Sequence, residues 1–545
     1  MRSDKIADFF DTPESVEKDA RPSVRQFAII WIHIGLFLGL FLALKLLFLK
    51  TFHLPEFSYN QPYLIIEIFK QISWIEALML IGGAVIIVAT GDYRTLLQPW
   101  AQLEYGGRLR YFIMIAAGML AWAFSTYSYN FFFDQGHWLS RILLVTLVVL
   151  IYWRPVFTIP FLALLPAIIG QFDYPLGTGY ARPIDTMLIN ILFAFSAFLI
   201  LNVFTKRYKT ADFLFLVCCI IAVNYWWPGF GKLKLNWITH GHLNWFVFGG
   251  YSHGWLAFLK PDQIVAFSKF LAVFDWPMRI ATLVLEWGSL FFLWRRVTIK
   301  WFIAGWVAFH LAILSISGFF FWKWIVVEIA FFLIFMRKNA NLSLPFFKPA
   351  YFALSVLLIA GGRPLFQPPG LAWYDTRLNY TYQFEALGES GTSYTLPPVF
   401  FSPYRDIFTF GKFAYLVTEP QLVSSYGATS NRKIANALVT ANSAAKIFEL
   451  EASKRKHPVN ERKAARFDAF ITKFFRNAND DISKQNVINV LQTPPTFLTF
   501  SKGNVYRRSE RVTKIIVHQV TSLFDDHEYL EIRNRKIRKI EIPSL

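Results

Sequence analysis

Eleven apolar runs, most of them near the length that crosses a bilayer, fill the first two thirds of the chain and leave few soluble folds open to it. They cover residues 27–49, 74–90, 111–127, 138–153, 155–170, 184–204, 213–227, 278–294, 301–319, 320–336 and 347–361. A spanning helix needs about 20 mostly apolar residues, because backbone groups in hydrocarbon find no water and must bond within the segment. Composition points the same way: 55% of the 545 residues are hydrophobic and 18% aromatic, with a mean hydropathy of +0.37, the balance of a polytopic α-helical membrane protein. Only Arg154-Pro155 separates the fourth and fifth runs, so about nine to twelve transmembrane helices are expected. The first run follows a polar segment and is too long for a signal-peptide core, so it reads as a retained span.

Three regions follow: a polar N-terminus (1–26), a multi-span membrane body (27–362) and a mixed-polarity tail (363–545). Net charge is +19, yet no nucleic-acid motif accompanies it. Loops on the cytoplasmic side collect Lys and Arg, and basic segments meet anionic headgroups, so the expected partner is the lipid bilayer and not nucleic acid. With the N-terminus inside, the inside loops carry Arg94, Arg108, Arg110, Arg154, Lys206, Arg207, Lys209, Arg295, Arg296, Lys300, Arg337, Lys338 and Lys348. The outside loops are poor in such residues except for 228–276, which holds Lys232, Lys234, Lys260 and Lys269. Eleven spans then put the tail on the non-cytoplasmic side. Apolar stripes predict helices over about 430–492, and alternation after Pro494-Pro495 predicts strands at 496–500, 512–520 and 529–542, hence a small α+β domain. No internal repeat of a transporter kind is present.

Ionisable groups inside spans are costly and are functional hypotheses by default. Arg279 and Glu286 lie seven residues apart on one helical face, which suits an intramembrane ion pair as well as a site. His310 sits mid-span and suits an inter-helix hydrogen bond equally. Lys323, between Trp322 and Trp324, reads as an interfacial anchor, with Glu328 five residues on. Lys232 follows Pro228, Gly229 and Gly231, which are expected to end the helix, so it sits among aromatics just past a span. Removal from water favours a neutral amine, the form a lysine base needs; snorkelling to headgroups is the alternative. His240, His242 and His253 follow, but no carboxylate or cysteine accompanies them, and no metal site is expected. Cys218 and Cys219 are adjacent within a span, which suits neither a disulfide nor a metal.

The run Phe230-Gly231-Lys232-Leu233-Lys234-Leu235-Asn236-Trp237, then Trp245 and Gly254-Trp255, resembles the horizontally transferred transmembrane (HTTM) domain shared with vitamin K-dependent gamma-carboxylases. Leu285-Glu286-Trp287, Phe309-His310 and Leu314-Ser315-Ile316-Ser317-Gly318-Phe319 fall in the same order and spacing as that family's downstream stretches, over about 180–340. The resemblance implies a lyase-class membrane enzyme with its reactive face on the non-cytoplasmic side. It implies that Lys232 is the base that deprotonates a reduced quinone, with Glu286 and His310 lining the same cavity, and that a secreted or envelope protein is the substrate. The chain departs from the family in having no histidine between His137 and His240. Two other classes therefore stay open: a non-enzymatic membrane scaffold whose tail binds a partner and, behind it, a transporter. A body without a pocket at Lys232 would favour the scaffold.

Overall fold

The computed structural model describes residues 24–126, 132–133, 137–177, 182–337, 347–454, 458–480, 491–501 and 503–543. Each apolar run becomes helix over most of its length. The elements are α1 (Val24–Thr51), α2 (Leu64–Gln71), α3 (Trp74–Thr90), α4 (Gly106–Ser125), α5 (Trp138–Trp153), α6 (Thr158–Asp173), α7 (Pro183–Phe204), α8 (Thr210–Lys234), α9 (Phe246–Ser252), α10 (Pro261–Trp287), α11 (Arg296–Ser317), α12 (Trp322–Phe331) and α13 (Pro349–Gly361). By length and apolarity five helical stretches qualify as membrane-crossing: Phe27–Thr51, Pro155–Asp173, Pro183–Phe204, Thr210–Lys234 and Arg296–Ser317. A sixth arises if α2 and α3, bent by 96°, count as one broken span. α7 and α8 are apolar all round and almost wholly buried, as central helices must be. The outer helices instead expose apolar side chains, Leu78 at 67% and Ile81 at 63% among them. Such continuous exposed apolar surface suits lipid and would be a liability in water.

The helices alternate between two chemically different ends. At one end Arg154 donates to Leu97 O, Thr210 Oγ donates to Glu104 O, and Arg296 donates to Arg337 O at 3.5 Å; this is the end rich in Arg and Lys. At the other end the tail docks. There Lys45 donates to Leu365 O, Asn190 to Phe366 O, Trp122 to Leu491 O and Trp322 to Pro494 O.

The tail is α+β. Strands β1 (Tyr374–Asp375), β2 (Leu378–Gly388), β3 (Ser393–Leu396), β4 (Ala428–Thr429), β5 (Val512–Phe524) and β6 (Tyr529–Glu541) form an antiparallel sheet in the order β3-β2-β5-β6 and a separate β1-β4 pair. Helices α14 (Arg405–Phe410), α15 (Arg432–Thr440), α16 (Ala444–Ala452) and α17 (Glu461–Asp480) complete it. α17 presents Phe467, Phe470 and Phe474 to Phe384, Phe401 and Phe408, and this aromatic layer is continuous with the core of the helical body. The strand reading needs two corrections. The sheet draws β2 and β3 from before Pro494, so it is not confined to the last fifty residues. Residues 496–500 form no strand. Their backbone is spent on the bundle instead: Phe320 N donates to Thr496 O, Leu498 N to Gly318 O and Phe500 N to Gly254 O. Gly318 and Gly254 hold φ of +78° and +97°, values that glycine adopts without strain.

Candidate functional site

Lys232, Glu286 and His310 line one cavity of about 720 Å3 between the helical body and the docked tail. Small and apolar side chains of α10 and α11, including Ala281, Leu285, Gly305, Ala308 and Phe309, form the bundle wall. Trp373, Asp375, Ile407, Phe410 and Phe497 come from the tail.

α8 supplies the polar edge. Asn224, Tyr225 and Lys232 all reach the cavity, and Tyr225 and Lys232, seven residues apart, share a helical face. Lys232 is not beyond the helix, as the Pro and Gly residues suggested, but in its last turn. Pro228 bends no break into α8, and the two glycines serve packing. A Cβ at Gly229 would lie 2.9 Å from both Glu286 Cβ and Trp287 N, and one at Gly231 would lie 2.7 Å from Ala372 Cβ. Close approach of α8 to α10 therefore sets the main contact: Lys232 Nζ donates to both carboxylate oxygens of Glu286, at 2.6 Å each. Both side chains are nearly buried, and Lys232 also lies 5.6 Å over the Trp237 ring.

His310 belongs to a neighbouring cluster. Its Nε2 is 3.5 Å from Tyr225 Oη and its Nδ1 is 3.7 Å from Glu328 Oε2, while Tyr225 donates to Glu328. Tyr225 in turn stacks on Trp306, ring centres 3.9 Å apart. Tyr225 was not singled out in the sequence; Glu328 was named there among the ionisable groups within apolar runs but was given no place in the site.

Other expectations change. Arg279 pairs with Asp275 at 2.8 Å and not with Glu286. Lys323 is no surface anchor: it is 4% exposed and donates to Asp185 at 2.6 Å. Arg182 and Asp406 form a further ion pair on the cavity wall. His240 takes part in a hydrogen bond with Arg432, His242 stacks on Trp245 and His253 stacks on Tyr426. Burial pushes the His253 imidazole down to about 4, so it is neutral at ordinary pH. None of the three lines the cavity. Among the described residues no group of three His, Cys, Asp or Glu side chains could hold a metal.

Asp375 carried no sequence signal, being one acid among many in a polar tail. It is buried against the bundle and accepts from Trp373 Nε1 at 3.0 Å. Burial pushes its carboxyl up to about 7, against the opposing pull of the Trp373 hydrogen bond and of the Lys232 charge. Trp237 Nε1, also buried, has no acceptor among the described residues.

The site thus joins a proton-holding amine–carboxylate pair to an apolar chamber. An ion pair this dry costs more than it returns in stability, which makes its position at a cavity wall informative. No family model matches the chain, and no curated protein or solved structure matches it either.

Proposed function

We propose that this chain is a multi-span membrane protein of the HTTM type, distantly gamma-carboxylase-like. On this reading its cavity takes a lipophilic ligand bearing an acidic hydroxyl, of the reduced-quinone class. The observation that carries the reading is the Lys232–Glu286 pair at the edge of a chamber whose walls are mostly apolar and aromatic. The chamber suits such a ligand in size, and Trp237 Nε1, which has no acceptor among the described residues, offers it a donor. A quinol, when bound, supplies a weakly acidic ring hydroxyl. The protein's part is to hold or take the proton. Glu286 can carry the proton of its pair with Lys232, which leaves the Lys232 amine neutral and able to accept another at Nζ. The apolar walls keep water from competing. His310, held between Tyr225 and Glu328, flanks that edge.

The basic end is read as cytoplasmic under the positive-inside rule. All the helical stretches then serve as about eleven spans, and the docked tail lies outside, where it would present a secreted or envelope protein substrate to the site. A body without a pocket at Lys232 would have favoured the scaffold reading, and the cavity removes that argument for it.

Binding of a short-chain naphthohydroquinone, followed by tryptophan quenching, tests the proposal, since Trp237, Trp322, Trp324 and Trp373 line the chamber. Saturable quenching is expected in the parent protein, with affinity lost in Ala308→Trp, which fills the chamber, and weakened about tenfold in Lys232→Met. Equal affinity in all three proteins would overturn it.

A further inference from the structure

Asp375 reaches the chamber from outside the helical body. Its placement rests on direct contacts between the end of α8 and the first segment of the tail: Gly231 against Ala372, and the Tyr374 hydroxyl donating to Leu235 O. Pairing of β1 with β4, Asp375 opposite Ala428, and the bond from Thr376 N to Gly427 O fix the segment from the tail side. Two charged groups bear on the carboxyl, Lys232 of α8 and Asp275 of α10, with opposite signs, and Asp275 is itself paired with Arg279. Trp373, on the same segment, donates the hydrogen bond.

Building on the proton-transfer reading above, we propose that Asp375 is the relay residue through which Lys232 exchanges protons with the tail side of the molecule. Lys232 is then set between two carboxyls of different duty. Glu286 anchors it within the bundle, and Asp375 receives what it releases. In the step itself an N–H bond of the Lys232 ammonium breaks and an O–H bond forms on a carboxylate oxygen of Asp375. An ammonium–carboxylate couple becomes an amine and a carboxylic acid, with no change in net charge and no co-reactant. Because Asp375 belongs to the tail, the relay exists only while the tail is docked. A carboxyl that titrates near neutrality is matched to that duty, whereas one held well below neutrality would keep no proton to pass on.

Infrared difference spectra of the full-length protein in nanodiscs between pH 6 and pH 8, with no ligand added, test the assignment. The parent protein should lose a carboxylic-acid carbonyl band that is absent in Asp375→Asn and restored in Asp375→Glu. In Lys232→Met the midpoint of that band should rise by about one pH unit, because a nearby cation favours the charged carboxylate. A Trp373-bonded carboxyl out of reach of Lys232 would show no dependence on it. Absence of the band, or a midpoint unmoved by Lys232→Met, overturns the relay. Either result leaves quinol binding free to succeed or fail on its own, and the Lys232→Met arm stands even if Asp375→Asn does not fold.

Discussion

Replacing Lys323 by Met separates a buried ion pair from an interfacial anchor. Lys323 is 4% exposed and Asp185 2%, and Nζ lies 2.6 Å from Oδ1. At that distance and an effective dielectric of about 20 the gross attraction is roughly 6 kcal/mol, most of it offset by desolvating both ions. The pair as a whole is therefore worth little, but Lys323→Met leaves an uncompensated carboxylate inside the bundle, at a cost of about 3–5 kcal/mol. Asp185→Asn keeps the shape, and with it the N-terminal cap on α7 through Arg182 N, but orphans the lysine, at a similar cost. The double variant should lose clearly less than the sum, with a coupling of about 2–3 kcal/mol. Unfolding in mixed micelles on titration with dodecyl sulfate, followed by tryptophan emission, gives all four corners of the cycle. An anchor at the headgroups would give losses under about 1 kcal/mol and no coupling. That outcome would refute the reasoning.

Three other expectations follow from single residues. Gly229→Ala gains about 1 kcal/mol of helix propensity, but its methyl meets Glu286 Cβ and the backbone of Trp287; overpacking of about 1–3 kcal/mol should make the variant no more stable and should weaken quinol binding, and a stabilised variant with unchanged binding would contradict the close α8–α10 contact. The Asp375 carboxyl ordinarily titrates near 3.8 and here near 7, so the folded state holds more protons than the unfolded one between these values, and stability falls as pH rises through that window, by roughly 4 kcal/mol at most; Asp375→Asn should therefore equal the parent at pH 4 and exceed it at pH 8, measured by the same micellar unfolding. A cysteine at exposed Ser390 should react with an impermeant maleimide in intact cells, since native Cys218 and Cys219 are buried; reaction only after permeabilisation would reverse the orientation.

How far the sequence could be read depended on how local each signal was. Apolar length is local, so eleven of the thirteen body helices were legible; α2, α9 and the first half of α10 fell in stretches read as loops, because they are short or carry charge. Alternation is local too, which is why β5 and β6 were found. Residues 496–500 alternate as a strand does, but their partners are the bundle's turns at Gly254 and Gly318, a tertiary choice with no local trace. Lys323 shows the same limit: Trp-Lys-Trp is the pattern of an anchor, and only the arrival of Asp185 from a distant helix makes it a core pair. The site was legible where charge interrupts hydrocarbon, at Lys232, Glu286 and His310. It was illegible at Asp375, where a carboxylate among polar neighbours becomes unusual only when the tail folds back onto α8. Pro228 and the adjacent glycines misled because they were read as terminators, when two of them are the places where α8 is touched by α10 and by the tail.

Photo-crosslinking in native nanodiscs tests the central claim most directly: the chamber at Lys232, Glu286 and His310 receives a lipophilic ligand. A diazirine-bearing naphthoquinone, reduced before irradiation, should label the chamber wall, with adducts mapped by peptide mass spectrometry to Phe309, Trp237 and Phe497, and the labelling should be competed away by unlabelled quinol and lost in Ala308→Trp. Adducts confined to outward-facing residues such as Val284 and Leu311, unaffected by competitor, would show that the ligand meets only the lipid-facing surface and would contradict the account.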